Sequence, residues 1–520
     1  MIRLLVILML ANQLIARTNN QSSDRNRNFQ ILRHNVNRVE MCISNYGKFG
    51  QDETGNNPGC WWPRGCGYTY IYGAGIWFGT IDSLTGDTLV TIGYGPSGGE
   101  SEFAPGLSGM SVGNPGAVIY VYPNHWPPPE SVFPMAPQLN ISHQDSWCCF
   151  NDSDSLYHIP GGRPIGIECY QTVYAWDLPI LEDMIFFAPE VKNVSGEVLY
   201  DCYIGVCFDM TGLPGSGRCA GIVTKRYVMD GDTIWADDVG YQWEQGEPGT
   251  PPYKPGVISA DLLQTPFDLQ WGMDKDGDGI PDQYEQDSAY YVNNLPQNMW
   301  DADNDGLPDW RDPSQWPKLG ITAFKRFTRF VQPNYDGEHY MTLAGYDFLT
   351  GVYEPFDTTA STPGDWAFVM SSGPFCLPPD SSVTLVFVVM FNLWWGIYNS
   401  PDSAMIEINH YAQDYYDMYW YLYTGIEENF ELRNSDCQLR ITPNPVVRSA
   451  NIMFSLSTPD YVSLNLYNSV GQHVMKIMEG HRAACVHNIV IDTGMLAQGT
   501  YFLYLETSKN REYHTIVVLR

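Results

Sequence analysis

The chain has 520 residues, 44% hydrophobic and 14% aromatic, with Gly 48, Pro 36 and a formal charge of −31. That length holds two or three domains, and the Gly, Pro and aromatic content favours a turn-rich β protein over a helical one. The charge argues against nucleic acid as a partner and favours divalent cations. The acidity is uneven: Gln438–Arg520 carries seven Lys+Arg against five Asp+Glu, net +2, which leaves −33 on the rest. The tail is therefore a separate kind of module.

Met1-Ile2-Arg3, the apolar run Leu4–Leu10, and a small-residue close near Ala16 have the three-part form of a secretory signal peptide, residues 1–16. The run is short for a membrane span, and no later stretch predicts one. From Asn37 the pattern turns to short strands and turns. Tyr68–Phe78 and Thr88–Ile92 predict a hairpin around Thr85-Gly86-Asp87. Ile167–Trp176, Asp183–Asn193 and Val198–Asp209 predict further strands, and the region 37–426 reads as a large β-sandwich or jelly roll, as one or two subdomains.

Two copies of one twelve-residue pattern interrupt that region at 274–312. The first is D-K-D-G-D-G-I-P-D-Q-Y-E (Asp274–Glu285) and the second D-A-D-N-D-G-L-P-D-W-R-D (Asp301–Asp312). Calcium takes six to eight oxygens from a sharply turning loop. Asp274, Asp276, Asp278 and Asp282, then Asp301, Asp303, Asp305 and Asp309, fill the first, third, fifth and ninth places. Gly279 and Gly306 take the turning sixth place, and Ile280 and Leu307 would lend backbone carbonyls. Glu285 and Asp312 stand at the closing, bidentate place. A structural Ca²⁺ in each loop is the expectation. The loops resemble those of EF-hands, dockerins and thrombospondin type-3 repeats. Pro281 and Pro308 point toward the thrombospondin type, because proline disfavours the regular helix that follows an EF-hand loop.

Strand-like pieces resume at Ile321–Val331, Tyr340–Ala344, Trp366–Ser371 and Val383–Phe391. One helix is expected over Ser403–Tyr423, with Ile406, Tyr411, Tyr415, Met418, Tyr419 and Leu422 at three- and four-residue steps and a cap from Pro401-Asp402-Ser403. A linker at 427–437 leads to the tail, 438–520. There, seven short strands are expected: Leu439–Ile441, Ile452–Leu456, Val462–Tyr467, Val474–Ile477, Asn488–Ile491, Tyr501–Glu506 and Tyr513–Leu519. That number and spacing fit an immunoglobulin-like sandwich.

The tail resembles the type A C-terminal sorting domain of type IX secretion cargo. The matching residues are P-N-P (Pro443–Pro445), L-Y-N-S-V-G-Q-H-V (Leu466–Val474), L-A-Q-G-T-Y-F-L (Leu496–Leu503) and the final V-V-L (Val517–Leu519). One departure is His514-Thr515, where the family often carries Lys before the last strand. The resemblance implies passage through both membranes of a Gram-negative-type bacterium, the type IX machinery as partner, and a place at the cell surface or beyond. A plain adhesion module and a hook-capping-type module are the alternatives, though the W-D-G expected of the latter is replaced by Ile491-Asp492-Thr493-Gly494.

No H-E-x-x-H occurs, and the bare string G-x-S-x-G occurs only within the Gly/Pro-rich loop Gly93–Gly116 (Gly95-Pro96-Ser97-Gly98-Gly99 and Gly109-Met110-Ser111-Val112-Gly113), not between a strand and a helix as a nucleophile elbow requires. Glu168, Asp177, Glu182 and Asp183 beside Tyr170, Tyr174 and Trp176 are the nearest to a glycosidase carboxylate pair. Trp61-Trp62 and Trp394-Trp395 would suit either a sugar platform or a core. None of the 12 Cys shows the paired C-x-x-C spacing of a zinc site. A few disulfides are expected in an exported chain, with Cys60–Cys66 a candidate; Cys202 and Cys207, five apart in one strand, face opposite ways. Two functions remain open. One is a secreted, calcium-stabilised β protein with a structural or binding role, towards a glycan or other surface ligand. The other is a secreted hydrolase of polysaccharide or protein with structural calcium.

Overall fold

Most strands of the first region are buried on both faces, so they read as apolar runs rather than clean alternations. A computed structural model shows why. It describes residues 28–518 except 55–56, 96–100, 112, 180, 211–217, 224–225, 230–231, 236–237, 245–255, 268–317, 359–360, 394–396, 399, 417–436, 443–445, 447–448, 457–459, 469–471, 483–485, 495 and 508–510. The expected signal peptide, the calcium loops, most of the linker and Trp394-Trp395 lie outside the described residues. The chain divides into two units, Met1–Gln413 and Asp414–Arg520.

The first unit pairs two antiparallel sheets. One runs Ile31–His34, Glu40–Ser44, Lys48–Phe49, Gly73–Ile81, Leu199–Asp209, Trp366–Leu377 and Ala323–Thr328. The other runs Arg218–Val223, Val239–Glu244, Gly256–Gln264, Val386–Leu393, Met184–Asn193, Ile167–Ala175, Gln144–Asn151 and Ala104–Pro105. Their facing rings interdigitate. Phe187 and Phe387 of the second sheet stack at 4.7 Å and 3°, with Phe49 of the first sheet 4.4 Å from Phe187 and Phe208 6.1 Å from Phe387. Such aromatic pairs add about 0.5–1.5 kcal/mol beyond their burial.

The outer face of the first sheet is covered too. Trp77, Cys207 and Val369 meet Tyr340 and Leu343 of the helix Asp336–Leu343. The helix can lie that close because Gly205 has no side chain: a Cβ there would sit 2.5 Å from the Met370 carbonyl and 3.0 Å from Leu343. This helix corrects the strand expected at Tyr340–Ala344. A short apolar run does not declare its period, and here the face formed by His339, Tyr340 and Leu343 won.

The second helix spans Pro401–Tyr415. It starts two residues before Ser403, with Pro401 at its first position, where a missing N–H costs nothing. Its buried residues include Ala404, Met405, Ile406, Ile408, Ala412 and Tyr415; Tyr411, expected inside, is 42% exposed, and Met418, Tyr419 and Leu422 lie outside the described residues. Among the described residues no helix is long and apolar enough to cross a membrane.

The ten cysteines from Cys42 to Cys376 are all free thiols. The expected Cys60–Cys66 bridge is not formed. Cys60 is buried in the sandwich, while Cys66 lies 3.2 Å from the Trp62 carbonyl. Cys202 and Cys207 do face opposite layers, the sandwich interior and the helix side.

The second unit has seven strands in two sheets. Cys437–Thr442, Ser449–Leu456 and Val486–Asp492 form one, and His473–Arg482, Asp460–Asn468, Gly499–Glu506 and Arg511–Val518 the other. Val462, Leu464 and Leu466 are fully buried while Ser463 and Asn465 are not, as period-2 alternation requires. Ile452, Phe454, Leu503, Leu505 and Ile516 complete an aliphatic core.

Candidate functional site

Asp274, Asp276, Asp278, Ile280, Asp282, Glu285, Asp301, Asp303, Asp305, Leu307, Asp309 and Asp312 all fall in 268–317, outside the described residues. The two ends of that stretch are described. The chain leaves the second sheet after Gly256–Gln264 and rejoins the first at Ala323–Thr328. Between them Phe267 and Lys318 form an antiparallel bridge. The Leu319 N–H donates to the Pro266 carbonyl at 2.8 Å, and the Gly320 N–H to the Thr265 hydroxyl at 2.8 Å. The stretch therefore departs and returns through one neck.

Among the described residues no group of three or more His, Cys, Asp or Glu is placed to hold a metal. A buried polar cluster joins the strand end at Thr91-Ile92 to the segments around Glu102, Asp152–Ile159 and Ile165–Ile167. Asp152 accepts the N–H groups of Ile165 (2.6 Å), Gly166 (3.1 Å) and Ile167 (2.9 Å) and the Thr91 hydroxyl (3.0 Å). Glu102 accepts the N–H groups of Ile159 (2.7 Å) and Ile92 (2.8 Å). His158 lies beside it, Nδ1 3.7 Å from Glu102, with Nε2 2.9 Å from the Asp152 carbonyl. Burial pushes the Glu102 carboxyl up to about 8, against the pull of those two N–H groups. Burial also raises Asp152, opposed by its N–H donors, His158 and Thr91. Asp336 opens the helix Asp336–Leu343, where a negative charge suits the helix N-terminus. Burial raises it, and its oxygens make no well-formed hydrogen bond. The geometry serves to organise loops: most of its acceptors are spent on backbone N–H groups.

Of the glycosidase-like carboxylates, Glu168, Glu182 and Asp183 are likewise occupied, Glu182 by Arg38 at 3.2 Å, while Asp177 is exposed. Glu168 accepts the Ser108 N–H at 2.8 Å and the Tyr170 hydroxyl at 2.7 Å. Asp183 accepts the Trp62 indole at 2.5 Å and Arg38 at 3.0 Å, and burial raises its carboxyl. Trp62 is core: it stacks on Phe391 at 5.7 Å and packs edge-on against Tyr70 at 5.9 Å. Trp61 instead carries Arg33 over its ring at 4.8 Å.

One signal escaped the sequence reading. The string D-x-L-T-G occurs at Asp82–Gly86 and again at Asp347–Gly351. Both are hairpin tips of the same build. Asp82 and Asp347 each accept the N–H groups of the second and third residues beyond, and Gly86 (φ 73°) and Gly351 (φ 70°) turn left-handed. Each tip holds up an exposed leucine, Leu84 and Leu349.

The tail offers the most decisive comparison. Its seven strands, its aliphatic core and the tight entry at Gly499 into Tyr501–Leu505 lie on a matched family: residues 440–519 fit the family described as "Secretion system C-terminal sorting domain". The tail is a sorting domain. It addresses the protein to type IX secretion, so the protein is exported to the cell surface or the extracellular space, and the type IX machinery is a partner. Outside the sorting domain the chain matches no family, and no curated protein matches it. Among solved structures the chain is similar to a polysaccharide lyase, at 9% identity over 95% of this chain and 46% of that one, with a TM-score of 0.25. It is also similar to dimeric latent PorU from Porphyromonas gingivalis, at 10% identity over 92% of this chain and 31% of that one, with a TM-score of 0.16. The chain thus spans less than half of either, and likeness this slight bears on neither fold nor function.

Proposed function

We propose that this exported protein is a calcium-stabilised β-sandwich with a structural or binding role at the cell surface, delivered there by the signal peptide at 1–16 and the sorting domain. One observation carries the reading. A calcium register with Asp at four matching places, Gly at the sixth and an acid at the twelfth occurs twice in one stretch, and the two ends of that stretch are clasped at Phe267 and Lys318. Closing a long loop costs entropy that grows slowly with its length, and the neck meets that cost with four polar backbone and hydroxyl groups. Each bound ion would then draw together carboxylates that otherwise repel. Sites of extracellular modules bind at about 10⁻⁴–10⁻³ M. At a few millimolar calcium such a site adds roughly 1–2 kcal/mol by mass action. The hydrolase reading has no comparable support: of the candidate pair Glu168 and Asp177, Glu168 is tied to the Ser108 N–H and the Tyr170 hydroxyl.

The test is thermal unfolding of the mature chain in millimolar Ca²⁺ and in chelator. The melting temperature is expected to fall by several degrees on chelation; an unchanged melt contradicts the proposal.

A further inference from the structure

The strand Leu199–Asp209 carries an irregularity that changes where its side chains point. Tyr200 pairs with Ile81 and Tyr203 with Gly79, so three residues of this strand face two of its neighbour. The other neighbour repeats the mismatch, with Leu199 opposite Leu377 and Cys202 opposite Phe375. One extra residue is therefore inserted: a β-bulge. Asp201 sits in it with φ 47°, in the left-handed region that Asp tolerates better than most. Without the bulge, residues three apart would face opposite sides of the sheet. With it, Tyr200 and Tyr203 both lie on the helix side, opposite Ile81 and Gly79, and the Asp201 side chain is exposed between them.

The bulge is fixed from behind. The Tyr340 hydroxyl donates to the Asp201 carbonyl at 2.8 Å, and the Thr80 hydroxyl to the Tyr200 carbonyl at 2.8 Å. The Tyr203 ring meets Tyr340 edge-on at 5.5 Å and 90°. The hairpin that follows the helix adds two more rings. Tyr346 and Tyr353 pair across it at 5.1 Å. Phe348, at its tip, packs into the same cluster as Tyr203 and Tyr340. Burial first, then the charges of Asp201, Tyr353 and Tyr346, push the Tyr203 phenol up to about 12, which places all these groups in one neighbourhood. The rings are nevertheless presented to solvent: Tyr353 is 61%, Tyr200 46% and Tyr346 38% exposed.

We propose that the face formed by Tyr200, Tyr203, Tyr346 and Tyr353 around the Asp201 carboxylate binds a neutral polysaccharide. The proposal rests on the binding role above and gives it a site. Phenol rings offer a negative face to the weakly positive C–H bonds of a pyranose, at little conformational cost. Their hydroxyls and the outward carboxylate can bond the sugar's hydroxyls. The occupant follows from charge and area. Asp201 is the one carboxylate among these residues and no Lys or Arg joins them, on a chain of net −31, so polyuronates and sulfated glycans are repelled. Four partly exposed rings present a few hundred Å² by a rough count from ring size. A stable dimer needs about 800 Å² per partner.

Affinity gel electrophoresis of the full mature chain in millimolar calcium tests this, with mixed-linkage β-glucan, galactomannan or xyloglucan in the gel and polygalacturonate as the acidic control. Retardation by at least one neutral polymer and none by polygalacturonate is expected. Tyr346→Ala with Tyr353→Ala should weaken it about tenfold while leaving the melting temperature unchanged, since both rings lie at an exposed hairpin. Asp201→Gly, which keeps the left-handed backbone and removes only the carboxylate, should weaken it severalfold. No retardation by any of the three polymers overturns the proposal, as does retardation that survives the double substitution. A concentration-dependent dimer abolished by that substitution would also overturn it, assigning the face to self-association. The calcium reading fails separately: a chelator-insensitive melt with intact retardation faults the ion and leaves this face standing.

Discussion

Both units are β-sandwiches, yet they are filled differently. The sorting domain is held by Val462, Leu464, Leu466, Leu503 and Ile516, and the buried polar side chain in its described part is Thr493. The larger unit interlocks phenylalanines from two sheets and buries carboxylates, imidazoles and amines: Glu102, Asp145, Asp152, His34, Lys48 and Lys325 among them. An aliphatic interior of strict alternation gives an address module a fold with few conditions attached. An interior with buried ionisable groups makes stability depend on pH and on every partner being present. The larger unit should therefore be the responsive one.

The sharpest break of that contrast is Phe387→Ala. Phe387 touches Phe49, Phe187 and Phe208, one ring from its own sheet and two from the other. Its loss should cost about 3–5 kcal/mol in the unfolding of the larger unit by denaturant, without moving the transition of the sorting domain. A coincident shift in both would mean the two unfold as one.

Second in size is pH. Glu102 is raised to about 8 from an ordinary 4.5, so between those values the folded state holds a proton that the unfolded state has lost. Its contribution is present below pH 4.5 and is lost as pH rises through 8. Asp152, Asp336 and His158 face it, with the N–H groups of Ile92 and Ile159. His34 works the other way: burial lowers it to about 3 from 6.5, and its stability is lost as pH falls from 6.5. Denaturant melts should show the larger unit weakening on both sides of mildly acidic pH. Glu102→Gln should flatten the alkaline side, at a cost of about 1–3 kcal/mol because an amide cannot accept both N–H groups. An alkaline slope unchanged in that variant contradicts the assignment.

Smallest is a change expected to do nothing. Lys476 and Glu479 pair at 2.5 Å on the sorting-domain surface. Exposed pairs of this kind contribute little, so Lys476→Ala should leave the melting temperature of that domain where it was.

The same contrast decides what was readable beforehand. All seven tail strands were legible, because Val462, Leu464 and Leu466 alternate with Ser463 and Asn465 on a solvated sheet. In the larger unit Gly256–Gln264 went unread: it is central, covered on both sides, and shows no period. The run Tyr340–Ala344 reads as a strand because the packing face of the helix Asp336–Leu343 depends on a sheet glycine, Gly205, far away in sequence. The proposed calcium register is a pattern of sequence alone, since ligand spacing is local, and its residues lie outside the described part of the chain. The tyrosine face was not, since Tyr200 and Tyr203 share a side only through a bulge set by tertiary pairing.

Calcium uptake is the property on which the proposed function rests. Calorimetric titration of the mature chain with Ca²⁺ should show uptake at two sites with millimolar or tighter affinity, and Asp276→Asn with Asp303→Asn should abolish it. No uptake at millimolar calcium, or uptake that survives the double substitution, would contradict it.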